Sequence, residues 1–422
     1  MPISELVRLV GQTVAHSLFR PDILLIVGVV LLMVYTQYQR TALLERRLFG
    51  FVKNRPAEQM LRSLTDGVVG GLIATAVFVI VGISLNEVGI WYLWGLAILL
   101  MFFHPRFMCF AYGAGILALV HLIWGTPRID VPALMALVAI LHLVESVLIF
   151  LAGDRGATPV FVRSGDGPVV GGFTLQKFWP LPFIALVGAV VPGELLQGAQ
   201  AISMPDWWPI IRPSREIAPG TEYAFALFPV IAALGYSDIA VTVLPKVKAR
   251  RTAGRLLAYS LGLLALAILA QQHVAFAYLA AFYSPLAHEW VIHASRASER
   301  RGVPVFSGRE TMVLDVHPDS PAAKAGIQPG DIILSINGIP VETREDLNDA
   351  MTPWVLQATI EVENGITGER RILQCPARIP PLGVILVPQG YEGLAFDLGE
   401  TSRWRRWFRR WSRTGPNHYR RP

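Results

Sequence analysis

Along the first 293 positions apolar residues fall in long blocks. Beyond them they shrink to short alternating runs. The blocks lie at 22–37, 66–85, 88–103, 107–124, 131–152, 179–198, 223–244, 256–271 and 274–293. A spanning helix needs roughly 20 mainly apolar residues, so the pattern predicts eight or nine helical spans, the first and eighth being short. Residues 3–19 carry Leu6, Leu9, Val10, Val14 and Leu18 at helical spacing, which predicts an amphipathic helix at the interface before the first span. Residues 1–20 lack the basic start, apolar run and small-residue cleavage site of a signal peptide.

Between the fifth and sixth blocks the period changes. Thr158–Arg163, the turn residues Ser164-Gly-Asp-Gly, and Pro168-Val-Val predict a small β-hairpin within 153–178. It runs into Phe178-Trp179-Pro180, aromatic anchors suited to an interface. From Thr311 onward the alternation of Met312–Val316 predicts strands and turns of a separate soluble domain.

Composition agrees with this division. The 422 residues are 53% apolar and 16% charged, with mean hydropathy +0.46. Soluble domains carry about 25% charged residues, so a single large soluble enzyme is excluded, as is a disordered chain. Two cysteines, Cys109 and Cys375, make no disulfide framework. The net charge of +6 averages unlike parts: residues 302–400 hold 6 Lys/Arg and 14 Asp/Glu, whereas 401–422 hold 8 Arg and no acid.

Basic residues also orient the spans. They cluster at 37–65 (Arg40, Arg46, Arg47, Lys53, Arg55, Arg62), at 245–255 (Lys246, Lys248, Arg250, Arg251, Arg255) and after the last span (Arg296, Arg300, Arg301). A nine-span topology places all three, the 153–178 hairpin and the soluble domain in the cytoplasm. The loop at 201–222 and the N-terminus then lie outside, unless residues 1–36 form a re-entrant or surface segment.

The run from Ser320 to Gly338, Ser-Pro-Ala-x-x-Ala-Gly-Ile-x-x-Gly-Asp-x-Ile-x-x-Ile-Asn-Gly, resembles the PDZ family of bacterial proteins. Thr343–Met351 predicts a helix capped by Thr343 and Asp346, and Leu356–Val362 and Arg370–Gln374 predict the closing strands. PDZ domains take an extended peptide beside a strand and a helix. The resemblance puts that strand at Val303, Pro304, Val305 and Phe306, facing Leu347, Ala350 and Met351. Pro304 lacks the backbone donor that capture of a C-terminal carboxylate uses. The alternative is a PDZ that packs on the membrane part or on a second copy of the chain.

In the C-terminal tail Trp404, Trp407, Phe408 and Trp411 fall at i, i+3, i+4 and i+7, on one helix face, among Arg405, Arg406, Arg409 and Arg410. Aromatics on one side and cations on the other predict an interfacial helix on anionic lipid. The acidic PDZ region and nucleic acid are competing partners, nucleic acid the less favoured.

Ionisable residues within spans are functional candidates. Here they are His121, His142, Glu145, His288 and Glu289. A His–Glu hydrogen bond tying helices, a proton or ion path, and a metal site are the three readings, the first preferred. His288-Glu-Trp-Val-Ile-His293 approaches the zinc-protease motif HExxH, but its histidines are five apart, which turns the second about 140° away. No catalytic residue, metal or cofactor is assigned. A PDZ-regulated intramembrane metalloprotease or a transporter is the rival class.

Arg106-Phe-Met-Cys-Phe-Ala-Tyr112, Gly171–Pro180, Ser284-Pro-Leu-Ala-His-Glu289 and the trailing Pro381–Pro388, in that order, resemble the MinJ-type topological determinants of bacterial cell division. That resemblance implies a polytopic scaffold of the cytoplasmic membrane that bridges DivIVA to MinD. The expectation is therefore an α-helical polytopic membrane bundle of 8–9 spans (1–293), a small α+β, barrel-like PDZ domain (302–376), an appended strand and linker (377–400) and a basic amphipathic C-terminal helix (401–422). Its partners would be division proteins at the PDZ and anionic lipid at the tail, with a second copy of the chain as a further candidate.

Overall fold

A computed structural model describes residues 3–17, 19–163, 167–196, 202, 204–213, 218–350, 357–376, 382–388 and 396–397. The N-terminal part holds α1 (Ile3–Ser17), α2 (Pro21–Phe49), α3 (Pro56–Val81), α4 (Ile90–Phe103), α5 (Phe110–Trp124) and α6 (Val131–Ala152). Strand β1 (Thr158–Arg163), strand β2 (Val169–Pro192), the turn α7 (Gly193–Leu196), strand β3 (Thr221–Ala240), α8 (Pro245–Leu269) and α9 (Val274–Arg301) follow. Helix α6 is the hub. Asp130 caps it by accepting from the Ala133 N–H at 2.8 Å, and Leu134 to Ile140 are each at most 2% exposed.

Seven of the nine apolar blocks are helical. The blocks at 179–198 and 223–244 are not: they are the long strands β2 and β3, paired antiparallel from Phe173↔Ala240 to Pro192↔Thr221. The reason is in the residues. Pro180 and Pro182 sit two apart on β2, Pro229 on β3 pairs with Ile184, and proline inside a helix removes a hydrogen bond and clashes with the preceding turn. Among the described residues four helices, α2, α3, α6 and α8, are long and apolar enough to cross a membrane, so the expectation of eight or nine helical spans is corrected downward.

A strand beside apolar helices must satisfy its own backbone. Helix α3 does much of this for β2. Gly67, Gly71 and Thr75 lie four apart, about 6 Å of helix rise, and meet Pro180, Pro182 and Ile184, two apart and about 6.6 Å of strand. A Cβ on Gly67 would stand 2.0 Å from the Pro180 carbonyl oxygen, and one on Gly71 1.8 Å from that of Pro182. On this edge of β2 the Phe178 N–H donates to Tyr38 (3.2 Å), the Ile184 N–H to Thr75 (2.9 Å) and the Gly188 N–H to Ser84 (2.7 Å). Between Phe178 and Ile184, Pro180 and Pro182 have no N–H to satisfy. The Leu186 carbonyl accepts from Leu85 N–H at 2.8 Å, and that of Gly188 from Asn86 at 2.6 Å.

Helices α4 and α5 have 14 and 15 residues, about 21 and 23 Å of rise. Their outer ends stay together with the start of α6, where the Asp130 N–H donates to the Glu87 carbonyl at 2.8 Å. Their inner turn, Pro105–Cys109, meets His142 and His288. Those lie 11 and 14 residues into α6 and α9, about 17 and 21 Å, near the middle of both. The pair is thus a short helical hairpin that turns beside the middle of α6 and α9.

The C-terminal part holds β4 (Val313–Val316), α10 (Pro321–Ala325), β5 (Asp331–Ile336), β6 (Ile339–Pro340), α11 (Arg344–Ala350), β7 (Ala358–Asn364), β8 (Arg370–Cys375), β9 (Val384–Leu386) and β10 (Phe396–Asp397). One sheet runs β6-β5-β7-β8 and β4 pairs with β9. A capping box starts α11: Thr343 accepts from the Asp346 N–H at 3.1 Å and Asp346 from the Thr343 N–H at 2.8 Å. Strand β10 leaves this domain and pairs parallel with β1, giving the order β10-β1-β2-β3.

Candidate functional site

The C-terminal domain is docked on the bundle, because both faces of its strands are apolar. On β4, Val313 and Val316 enter the domain's own core, while Leu314, with Met312 just before it, joins the core of the bundle. On β9, Val384 and Leu386 face inward, whereas Ile385 and Val387 face the bundle. On β9 this is the period of two of a strand buried on both sides, whereas on β4 a register shift between Val313 and Asp315 spaces the inward residues three apart. Around this seam Lys53 pairs with the buried Asp315, Phe51 packs edge-on against His317 at 4.4 Å between ring centres, and Arg55 lies 3.7 Å from Asp319. An open cleft of about 830 Å³ separates the basic loops from the domain, lined by Lys53, Arg55, Arg62 and Lys246 opposite Asp315 and Asp319. The acidic domain and two of the basic loops therefore face each other.

The segment expected to edge the peptide groove lies elsewhere. The Val305 N–H donates to the Val241 carbonyl (2.9 Å), and the Phe306 carbonyl accepts from the Gly171 N–H (2.9 Å). Phe306 is 1% exposed and packs edge-on against Phe173, 5.4 Å between centres. Val303 is exposed and Pro304 half-buried. Val305 and Phe306 tether the domain to the end of β3 and to β2. Of the helix residues named with them, Leu347 is buried in the domain core and Ala350 packs on it, while Met351 lies outside the described residues. Strand β9 shares the domain core with α11. It uses one edge for β4, and among the described residues no strand pairs with the other. Val384 and Ala350 pack, partly exposed, on the same core, and Arg344 reaches from α11 to the Val387 carbonyl at 3.3 Å. Before β9, Gly383 has φ +82° and a Cβ there would stand 2.2 Å from that of Ser320, so this tight approach requires glycine.

Within the bundle, two of the stretches singled out in the sequence meet. Arg106 lies 3.1 Å from Glu289, which also accepts from the Tyr112 hydroxyl and lies 3.0 Å from His293. His288 points the other way, to Cys109 (3.6 Å), and Cys109 is 3.2 Å from His142. The five-residue spacing has the expected effect: His293, with its side chain 59% exposed, lies on a different face from His288. His121 is not in this group; its Nδ1 bonds to the Pro127 carbonyl at 2.8 Å beyond the end of α5. Glu145, one turn along α6 from His142, is half-buried.

Residues 312–352 match the PDZ domain family. Over 245 residues the chain is 26% identical to the "Cell division topological determinant MinJ" of Bacillus subtilis (strain 168), covering 58% of this chain and 57% of that protein. The chain is similar to MinJ. It spans little more than half of that relative's length. Shorter likenesses are to a "Probable periplasmic serine endoprotease DegP-like" of Brucella suis biovar 1 (strain 1330), 48% identical over 50 residues (12% of this chain, 10% of that one), and to a putative zinc metalloprotease of Mesorhizobium japonicum, 60% identical over 38 residues (9% and 10%). The long match is thus to a division protein, and the protease matches are confined to short segments.

In this MinJ-like chain the junction of bundle and PDZ domain holds residues that sequence reasoning passed over. Lys248 and Glu299, 1% and 3% exposed, pair at 2.9 Å. The second Glu299 oxygen accepts from the N–H groups of Val241 (2.9 Å) and Thr242 (2.8 Å). Burial alone would raise the Glu299 pKa, but these N–H groups and Lys248 outweigh it and hold it below its ordinary value. Lys248 had a legible role only as one of five basic loop residues. The tail residues Trp404, Arg405, Arg406, Trp407, Phe408, Arg409, Arg410 and Trp411 lie outside the described residues.

Proposed function

We propose that this chain is a membrane-embedded scaffold that presents a docked PDZ domain to partner proteins at the cytoplasmic face, in the placement of the division site. The observation that carries it is the edge of β9 that pairs with no strand among the described residues, on a core shared with α11 and on a domain tied to the bundle at both ends, through Phe306 and through β10. An extended peptide can add there as a strand. The likeness to MinJ supports division proteins as partners, with DivIVA- and MinD-like proteins as the specific pair. The basic loops beside the acidic PDZ domain support a cytoplasmic position for it. That position requires α9 to cross together with α2, α3, α6 and α8, while the strand hairpin and the α4–α5 pair each return to the side they left.

Docking limits the groove's motion, so recognition would depend on where the bundle sits rather than on a swinging arm. The test is capture of crosslinked partners by the full chain carrying Val384→Arg and Ala350→Arg, which place bulk and charge on both sides of the groove. We expect normal membrane insertion and loss of the captured division proteins. An unchanged partner set would refute the reading.

A further inference from the structure

Cys109, His142 and His288 come from three separate elements: the turn that opens α5, the middle of α6 and the middle of α9. Their ligand atoms all lie within 4.8 Å of one another. Cys109 Sγ is 3.2 Å from His142 Nε2 and 3.6 Å from His288 Nε2. Three ligands around one ion have about this spacing. With a metal–sulfur bond of about 2.3 Å and metal–nitrogen bonds of about 2.0 Å, tetrahedral or trigonal angles put sulfur and nitrogen about 3.5–3.7 Å apart.

The histidine tautomer fits as well. His142 Nδ1 is 2.8 Å from the Val138 carbonyl, which can only accept, so the ring proton sits on Nδ1. Its Nε2 is a bare lone pair aimed at Cys109, the arrangement in which a backbone carbonyl orients a metal-binding imidazole. Packing fixes the rings: His142 and His288 meet edge-on at 5.1 Å, and Tyr259 lies 5.3 and 5.6 Å from them. Tyr259 is itself held by its hydroxyl on the Ser284 carbonyl at 3.1 Å. Of the neighbouring ionisable side chains, Arg106 and Glu289 neutralise each other, and Glu145 lies one turn along α6 from His142. Cys109 and His288 are half-buried rather than sealed, which leaves a route of access.

We propose that Cys109, His142 and His288 bind a single d10 metal ion, Cu(I) in preference to Zn(II). A thiolate with two imidazoles suits both ions. Two features select Cu(I). The group has three members among the described residues, enough for trigonal Cu(I) but one short of the four that structural zinc takes. One thiolate also cancels the charge of Cu(I) but leaves Zn(II) with a net positive charge at mid-bundle, where a buried charge is costly. On binding, the S–H bond of Cys109 breaks, its proton leaves to solvent, and the sulfur pair bonds the ion. Neither partner changes oxidation state, and both imidazoles stay neutral.

The test uses the full chain in detergent under anaerobic, reducing conditions, loaded with Cu(I) or with Zn(II) and dialysed against a competing chelator. The wild type should retain one equivalent of Cu(I), with an X-ray absorption spectrum showing one sulfur and two imidazole nitrogens. Cys109→Ser and His288→Asn should each lower retention at least tenfold, and Cys375→Ser should not. A second measurement avoids disturbing the cluster: in Cys375→Ser protein, Cu(I) should slow alkylation of Cys109 by N-ethylmaleimide at least tenfold. Equal retention by wild type and Cys109→Ser, or an alkylation rate indifferent to Cu(I), would overturn the site. Tighter retention of Zn(II) would overturn the choice of ion.

Discussion

Glu299→Ala is the sharpest test of how the end of α9, which leads into the PDZ domain, is held on the bundle. Glu299 is 3% exposed and Lys248 1%, and they pair at 2.9 Å. Removing the carboxylate leaves a buried ammonium with the Ser295 carbonyl at 3.2 Å and Asp238 at 3.5 Å. It also strips the acceptor from the N–H groups of Val241 and Thr242. Breaking a buried pair costs about 3–5 kcal/mol, and each orphaned donor about 1 kcal/mol or more where water does not enter. Asp238 offsets part of this, so the expected loss is about 3–5 kcal/mol. The assay is thermal unfolding in detergent followed by tryptophan fluorescence, with Arg20→Ala as control, since the Arg20–Asp22 pair is more than half exposed and water screens such surface pairs. Adding Lys248→Met to Glu299→Ala should recover part of the loss, because no uncompensated charge then remains. Because the Glu299 pKa is held below 4.5, its contribution is complete above that pH and fades as pH falls through the lowered value. The gap between wild type and variant should narrow there. If Glu299→Ala lowers the midpoint no more than Arg20→Ala does, the junction is not held as argued.

Two further outcomes follow from the same geometry. Gly171→Val would drive a side chain into Leu314 and Phe306, where a Cβ already stands 2.8 and 2.9 Å from their atoms. It should undock the PDZ domain, seen as faster protease cleavage within 302–311 with the bundle intact. Deleting residues 401–422 should weaken binding of the PDZ face to anionic vesicles while leaving neutral vesicles unaffected, as about 1 kcal/mol per basic residue near the surface requires. Equal binding to both vesicle types would contradict an electrostatic role for the tail.

Much of the fold was legible because local signals agreed with it. The block at 131–152 coincides with α6, and the Ser-Pro-Ala and Thr343/Asp346 caps open α10 and α11 where turn chemistry demands. Strands β1 and β2 pair antiparallel before and after the Gly-Asp-Gly residues. Where hydropathy alone was used, it misled. Apolar length cannot distinguish a helix from a strand buried against one, and the prolines at 180, 182 and 229 were the overlooked sign. The groove was displaced for a different reason. Val303–Phe306 reads as a strand of the PDZ domain, but the place beside β4 is filled by β9, about seventy residues downstream.

By itself, then, the sequence determined which segments must avoid water, where the helices are capped, that a PDZ domain follows an apolar bundle, and how charge divides between them. Those properties reside in composition and in spacings of a few residues. Tertiary structure alone decided that β2 lies flush on the glycines of α3, that α4 and α5 turn back at mid-bundle, and that Cys109, His142 and His288 converge there. Each of these depends on contacts between residues 30 to 180 positions apart. No local period encodes such contacts; they arise only when separate elements pack to satisfy one another's backbone and buried side chains.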